Sequence, residues 1–96
     1  MTTELKERDR SIEALVEKVK TRGCERLEYI LYKSDIEGRD SFSIQAIQYK
    51  SGVKTCQATA GDVSSVFGPA LSMFDAVSEG FVEPYVLCDV IYDLLP

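Results

Sequence analysis

From Glu4 to Arg22 the apolar residues Leu5, Ile12, Leu15, Val16 and Val19 recur at helical spacing with charges between them. This pattern predicts an amphipathic helix closed by Gly23, with Lys18, Lys20 and Arg22 at the negative end of its dipole. Everything between Leu5 and Ile12 is polar or charged, so residues 1–10 are expected to fray. Three segments then alternate apolar and polar: Leu27 to Lys33, Phe42 to Lys50 and Val53 to Ala60, rich in Tyr, Ile, Thr and Phe. They read as an antiparallel meander. A three-residue loop Lys50-Ser51-Gly52 would set Tyr49 opposite Val53, then Ala46 opposite Cys56, Ile44 opposite Ala58 and Phe42 opposite Ala60. Large residues then oppose small ones on one face, whereas a two-residue loop would pair Ile44 and Ala46 with polar Thr59 and Gln57. The link between the first two strands, SDIEGRDS, is read as an exposed loop; its Ile-Glu-Gly-Arg, a clotting-protease recognition sequence, is chance in an intracellular chain.

After Ala60, GDVSS offers Asp62, Ser64 and Ser65 as capping residues for a second helix carrying Phe67, Leu71, Phe74 and Val77. Gly68 and Pro69 fall in its first turn, where a missing amide costs little, and Gly80 stops it. Helical spacing resumes with Val86, Leu87, Val90, Ile91, Leu94 and Leu95. The expected fold class is α+β: a three-stranded antiparallel β-meander packed by helices in the order α-β-β-β-α-α, in one domain spanning 1–96. The core should gather Tyr29, Leu31, Phe42, Ile44, Phe74 and Val90.

Composition narrows the function classes. At 96 residues, 45% hydrophobic and 28% charged, the chain has the profile of one globular domain, and a core this small gains from oligomerisation. No stretch approaches the ~18 apolar residues of a membrane span, and the amino terminus is charged where a signal peptide is apolar, so a cytoplasmic protein without membrane contact is expected. Cys24, Cys56 and Cys88 are odd in number and form no CxxC pair, so they read as reduced thiols, Cys56 and Cys88 as structural ones. Histidine is absent, which removes the commonest general base and metal ligand; no cofactor is called for and no enzyme is expected.

Charge is uneven: residues 1–40 carry a net −1 and residues 41–96 a net −4, with no Lys or Arg after Lys54. That half repels a phosphate backbone, so no nucleic-acid partner is expected, while a protein with a basic surface would be attracted. Asp89 and Asp93, four apart, share a helix face with Tyr92 nearby. They are candidates for a divalent cation or small-molecule site, against the plainer reading of a solvated helix face.

The closing VEPYVLCDVIYDLL resembles the last motif of a family of short, uncharacterised Gram-positive bacterial proteins, approximately V-x-P-x-H-L-x-D-V-x-x-D-[FL]-L. The match rests on Val82, Pro84, Leu87, Asp89, Val90, Asp93 and Leu95, and covers residues 27–95 when LEYILYKSDIEG, AGDVSS and SEGFVEP are included. The motif's histidine is Val86 here, so the resemblance implies a compact α+β domain and no chemistry.

Two functional readings stand. The first is a protein-interaction module, self-associating as a homodimer through the sheet face that the closing helices leave free. The candidate interface there is Ile30, Tyr32, Ile47, Tyr49 and Val53, unless the amino-terminal helix covers that face. The second is a small-molecule or divalent-metal-binding domain using Asp89, Asp93 and Tyr92.

Overall fold

The computed structural model describes residues 12–95. Four strands, β1 (Ile12–Arg22), β2 (Glu25–Ile36), β3 (Arg39–Lys50) and β4 (Val53–Ser64), form one antiparallel sheet in chain order. Helices α1 (Phe67–Glu79) and α2 (Leu87–Leu94) follow, separated by a 3₁₀ turn over Pro84–Val86. The molecule is a slab measuring 42 × 35 × 19 Å. That thickness fits one sheet and one helical layer, with both helices on the same face. The α+β class and the antiparallel meander packed by helices are as expected.

The meander has four strands, not three, because the segment read as the first helix is strand β1 from Ile12 onward; the rest of that helix falls on residues 1–11, outside the described residues. The misreading has a physical origin. The β1–β2 register shifts between Ala14 and Val16, a bulge that leaves Leu15 unmatched. Leu15 and Val16 are both partly buried against the core. Two successive residues on one side imitate the neighbouring apolar positions of a helix stripe, and the alternation on either side is obscured. Beyond the bulge Val16, Lys18 and Lys20 face Leu31, Tyr29 and Leu27. Lysines thus occupy inward positions at the edge, where their stems cover apolar surface and their heads reach out.

All three hairpins turn in two residues. Gly23-Cys24 has positive φ at Gly23 alone, while Glu37-Gly38 and Ser51-Gly52 have it at both positions, the mirror-image turns that match strand twist. The expected long loop over Ser34–Ser41 is therefore strand up to Ile36 and from Arg39 on. At the third hairpin the expected three-residue loop is also replaced, since Lys50 pairs with Val53. A two-residue turn alone would have set Ile44 opposite Thr59. Instead the register slips at Thr55, between Tyr49–Lys54 and Gln48–Cys56, and gives Ala46 opposite Ala58 and Ile44 opposite Ala60. The bulge restores the parity that puts apolar residues on one face, two positions away from the register expected.

Row by row the covered face reads Val16-Leu31-Ile44-Ala60 and Lys18-Tyr29-Ala46-Ala58. Alanines on β4 leave room for α2, which lies along that strand, while α1 crosses β2 to β4. Tyr29, Leu31, Phe42, Ile44 and Phe74 are buried together as expected, with Ala70, Met73 and Val77 of α1 and Leu87 and Ile91 of α2. Val90 is only partly buried, because Leu87 and Ile91, one turn apart, define the inward stripe.

The expected helix caps are corrected too. β4 runs through Ser64, Val66 is the N-cap residue without a side-chain bond, and Ser64 Oγ instead accepts from the Val66 amide at 3.0 Å. At the other end the helix stops at Gly80, but Phe81 is the residue with positive φ, 53°. The Phe81 amide bonds Ser78 O and the Val82 amide bonds Val77 O, the two reverse bonds of a Schellman closure. A Cβ at Gly80 would stand 3.0 Å from the Ala76 carbonyl, which explains why glycine precedes the left-handed residue.

Candidate interaction surface

Because successive strand residues point to opposite faces, the register fixes the second face of the sheet as firmly as the first. Its rows are Ala14-Tyr32-Ser43, Glu17-Ile30-Gln45-Thr59, Val19-Glu28-Ile47-Gln57 and Thr21-Arg26-Tyr49-Lys54. Among the described residues, no element packs on this face.

Its apolar residues lie on diagonals: Ile30 and Ile47 occupy neighbouring rows of neighbouring strands, with Val19 and Tyr49 on either side. Ile30, Tyr32, Ile47 and Tyr49 are half-buried by their neighbours, and Val19 is 57% exposed. The polar residues between them are paired within the face. Tyr32 donates to Gln45 Oε1 at 3.1 Å, Gln45 Nε2 donates to Thr59 Oγ1 at 3.3 Å, and Lys54 donates to Gln57 at 2.9 Å. The Arg26 guanidinium lies 4.3 Å from the centre of the Tyr49 ring and reaches Glu28 at 3.2 Å. A shallow depression of about 340 Å³ opens between Ile12, Tyr32, Ser34, Ser43, Gln45 and Thr59. The charges of the face, Glu17, Glu28, Arg26 and Lys54, balance.

Four of the five candidate interface residues therefore share this face. Val53 does not: it pairs with Lys50, and by alternation from buried Gln48 that position belongs to the helix-bearing side, where Val53 is 65% exposed at the hairpin tip. The reading of Val53 as a neighbour of Tyr49 rested on the three-residue loop and fails with it. Sequence reasoning also missed Val19 and Ile12, which helical numbering had assigned to a stripe.

The acid pair of α2 is placed differently. Asp89, Tyr92 and Asp93 are exposed, Tyr92 at 77%. Among the described residues no group of three His, Cys, Asp or Glu side chains converges as a metal site would need. Of the thiols, Cys56 is half-buried opposite Gln48, while Cys24 and Cys88, the latter expected to be structural, are exposed.

A polar cluster that the sequence did not announce lies at the end of the covered face. Buried Gln48 donates its amide to Glu25 and, at 3.2 Å, to Glu83. The bond from Arg22 holds the Glu25 carboxyl below its usual range, with Gln48 adding to the effect against partial burial. Glu83 pushes the Tyr85 phenol upward, chiefly through a hydrogen bond. Arg22 and Gln48 bond the acids here, so the cluster ties β2, β3 and the interhelical link together. Residues 23 and 35 positions apart in sequence bond here, and spacing rules do not reach that far.

Comparison with protein-family models, curated proteins and solved structures finds no match for this chain. Among the described residues no helix is long and apolar enough to cross a membrane.

Proposed function

We propose that the protein is a non-enzymatic interaction module that associates with a second copy of itself through the uncovered face of its sheet. What supports this most is the face itself: aliphatic and tyrosine side chains in a contiguous diagonal, interleaved with polar groups that already satisfy one another. Such a surface can be desolvated without stranding donors, and its charges cancel, so two copies meet without net repulsion.

Size is consistent with a reversible dimer. Four strands ~4.8 Å apart and about ten residues long at ~3.4 Å per residue present roughly 650 Å². Two such faces stacked at ~10 Å would bury on the order of 1,300 Å², the low end of stable interfaces. The product is a four-layer helix-sheet-sheet-helix particle with both helical layers outward.

Sedimentation of the wild type and of Ile47→Glu tests the reading. Ile47 sits at the centre of the face and away from the core, so the variant should remain folded and turn a dimer into a monomer. A wild type that stays monomeric at high micromolar concentration would overturn it.

A further inference from the structure

The uncovered face differs from one end of its strands to the other. At the end nearest the Gly23-Cys24 and Ser51-Gly52 turns, Arg26 and Tyr49 stand side by side, guanidinium against ring at 4.3 Å, with Lys54 on the next strand. Glu28, 3.2 Å from Arg26, offsets one of the two cations. Toward the other end β2 and β3 carry Tyr32 opposite Ser43, and there the depression of about 340 Å³ opens. Bulk and positive charge are gathered at one end, and the hollow lies at the other.

Two copies stacked through this face are related by a two-fold axis lying between the sheets, and every contact is made twice. Sheets of separate chains pack with their strands within about 30° of one another, since right-angled packing relies on strands that pass from one sheet to the other. The axis then runs nearly along the strands or nearly across them. Either choice brings Ile30 and Ile47 of both copies together at the centre, because the two lie on neighbouring rows of neighbouring strands. The ends decide. An axis along the strands keeps each row over its own counterpart: the Arg26 and Tyr49 ridges collide, the cations of both copies gather at one end, and the two depressions close over each other into a void. An axis across the strands reverses the rows, so that Arg26 and Tyr49 of one copy cover the row of Tyr32 and Ser43 in the other. Close packing and charge both favour the second arrangement.

We infer that the two-fold axis of the dimer runs across the strands and that Tyr49 of each copy fills the depression of the other, with Arg26 against the rim at Tyr32. This orientation presupposes the dimer proposed above. The depression offers the incoming phenol suitable partners. Ser43 Oγ accepts from the Asp62 amide at 3.1 Å and retains a hydrogen to donate, and Ser34 lines the same hollow with a second hydroxyl. A tyrosine hydroxyl donates and accepts, so it meets matching groups there. A tyrosine seated in a walled pocket on the partner is the kind of contact that carries most of an interface's energy.

Nitroxide labels on Cys24, in the full chain with Cys56→Ser and Cys88→Ser, read the orientation by pulsed electron resonance alongside sedimentation. Cys24 is exposed in the β1–β2 turn, at the Arg26 end of the face. With the axis across the strands the two labels sit at opposite ends of the dimer, about 35 Å apart at ~3.4 Å per residue; with the axis along them both sit at one end, less than about 20 Å apart. The long distance is expected. Should the replaced thiols impair folding, isotope-filtered NOEs in a mixed sample of the wild type give the same reading, from the Tyr49 ring to Tyr32 of the partner subunit. Tyr49→Ala should raise the dimer dissociation constant about tenfold. A dimer with the short distance, with NOEs from Tyr49 to Tyr49 of the partner subunit, or with a dissociation constant indifferent to Tyr49→Ala overturns the orientation and leaves the dimer standing. A chain that sediments as a monomer overturns both.

Discussion

The Tyr29 hydroxyl donates a 2.9 Å hydrogen bond to the Val82 carbonyl, joining the fully buried centre of the sheet to the link between the helices. Val82 is the residue whose amide closes α1 in its Schellman bonds. Val82, the residue after the left-handed Phe81, is thus fixed on both sides, its N–H by its own helix and its C=O by β2. This is why the chain leaves α1, turns within a few residues and returns over β4.

Tyr29→Phe keeps the ring and removes the donor, so the fold should survive with a loss of about 1 kcal/mol, the net worth of a typical internal hydrogen bond. The phenol is pushed up to about 12, by burial first and by the nearby Glu83 carboxylate second. A raised value in the folded state means stability present below the ordinary phenol range near pH 10 and lost as pH climbs toward 12. Chemical denaturation at pH 8, 10 and 11.5 should show wild type falling more steeply than Tyr29→Phe across the upper interval; parallel slopes would contradict the assignment.

A second long-range tie holds the far end of the sheet. Asp62, in positive φ at 52°, accepts a two-pronged pair from Arg39 (2.9 and 3.3 Å) and a 2.8 Å bond from Ser41 Oγ, and its amide donates to Ser43 Oγ. The Arg39 bonds hold its carboxyl below the usual aspartate range, with Ser41 adding to them. A depressed value means stability present above pH 4 and lost as pH falls below it. Asp62→Asn tolerates the left-handed backbone but loses the charge. Its unfolding midpoint should lie below wild type at pH 7 and converge with it toward pH 3, as thermal melts at stepped pH would show.

What the sequence made legible follows from how local the governing physics is. β2, β3 and the buried side of β4 alternate cleanly, because each has one face against the helices and one away from them, and so Tyr29, Leu31, Phe42 and Ile44 could be placed in the core. The α1 and α2 stripes were equally plain. What failed depends on bulges. Leu15 disguised β1 as a helix, and Thr55 produced the right face parity from a turn of the wrong length. Neither bulge has a residue signature of its own. The uncovered face was legible through Ile30, Tyr32, Ile47 and Tyr49, whereas Val19 went missing with β1 and Val53 moved with the turn. That α2 lies along β4 is set by the interhelical link, which alternation does not encode.

The last prediction concerns that disguised strand. Lys18 occupies an inward position of β1, beside Tyr29, and its Nζ lies 2.9 Å from Asp75 Oδ1 and 5.7 Å from the centre of the Phe74 ring, both on α1. Both charged groups are partly exposed, so the ion pair is worth at most ~1 kcal/mol and the ring contact about as much. The alkyl stem, lying over apolar surface at the sheet edge, should matter comparably. Lys18→Met keeps the stem and should change stability little, while Lys18→Ala should cost about 1 kcal/mol by losing stem and head together. Lys18→Glu should cost more than Lys18→Ala, since it faces Asp75, and adding Asp75→Lys should recover part of the difference. Urea unfolding of the four variants checks the order. In a helix over Ile12–Arg22, Lys18 would lie on the solvent side beside Arg22, and the Glu substitution would be indifferent to residue 75; coupling between positions 18 and 75 is therefore a direct solution test that this segment is the first strand of the sheet.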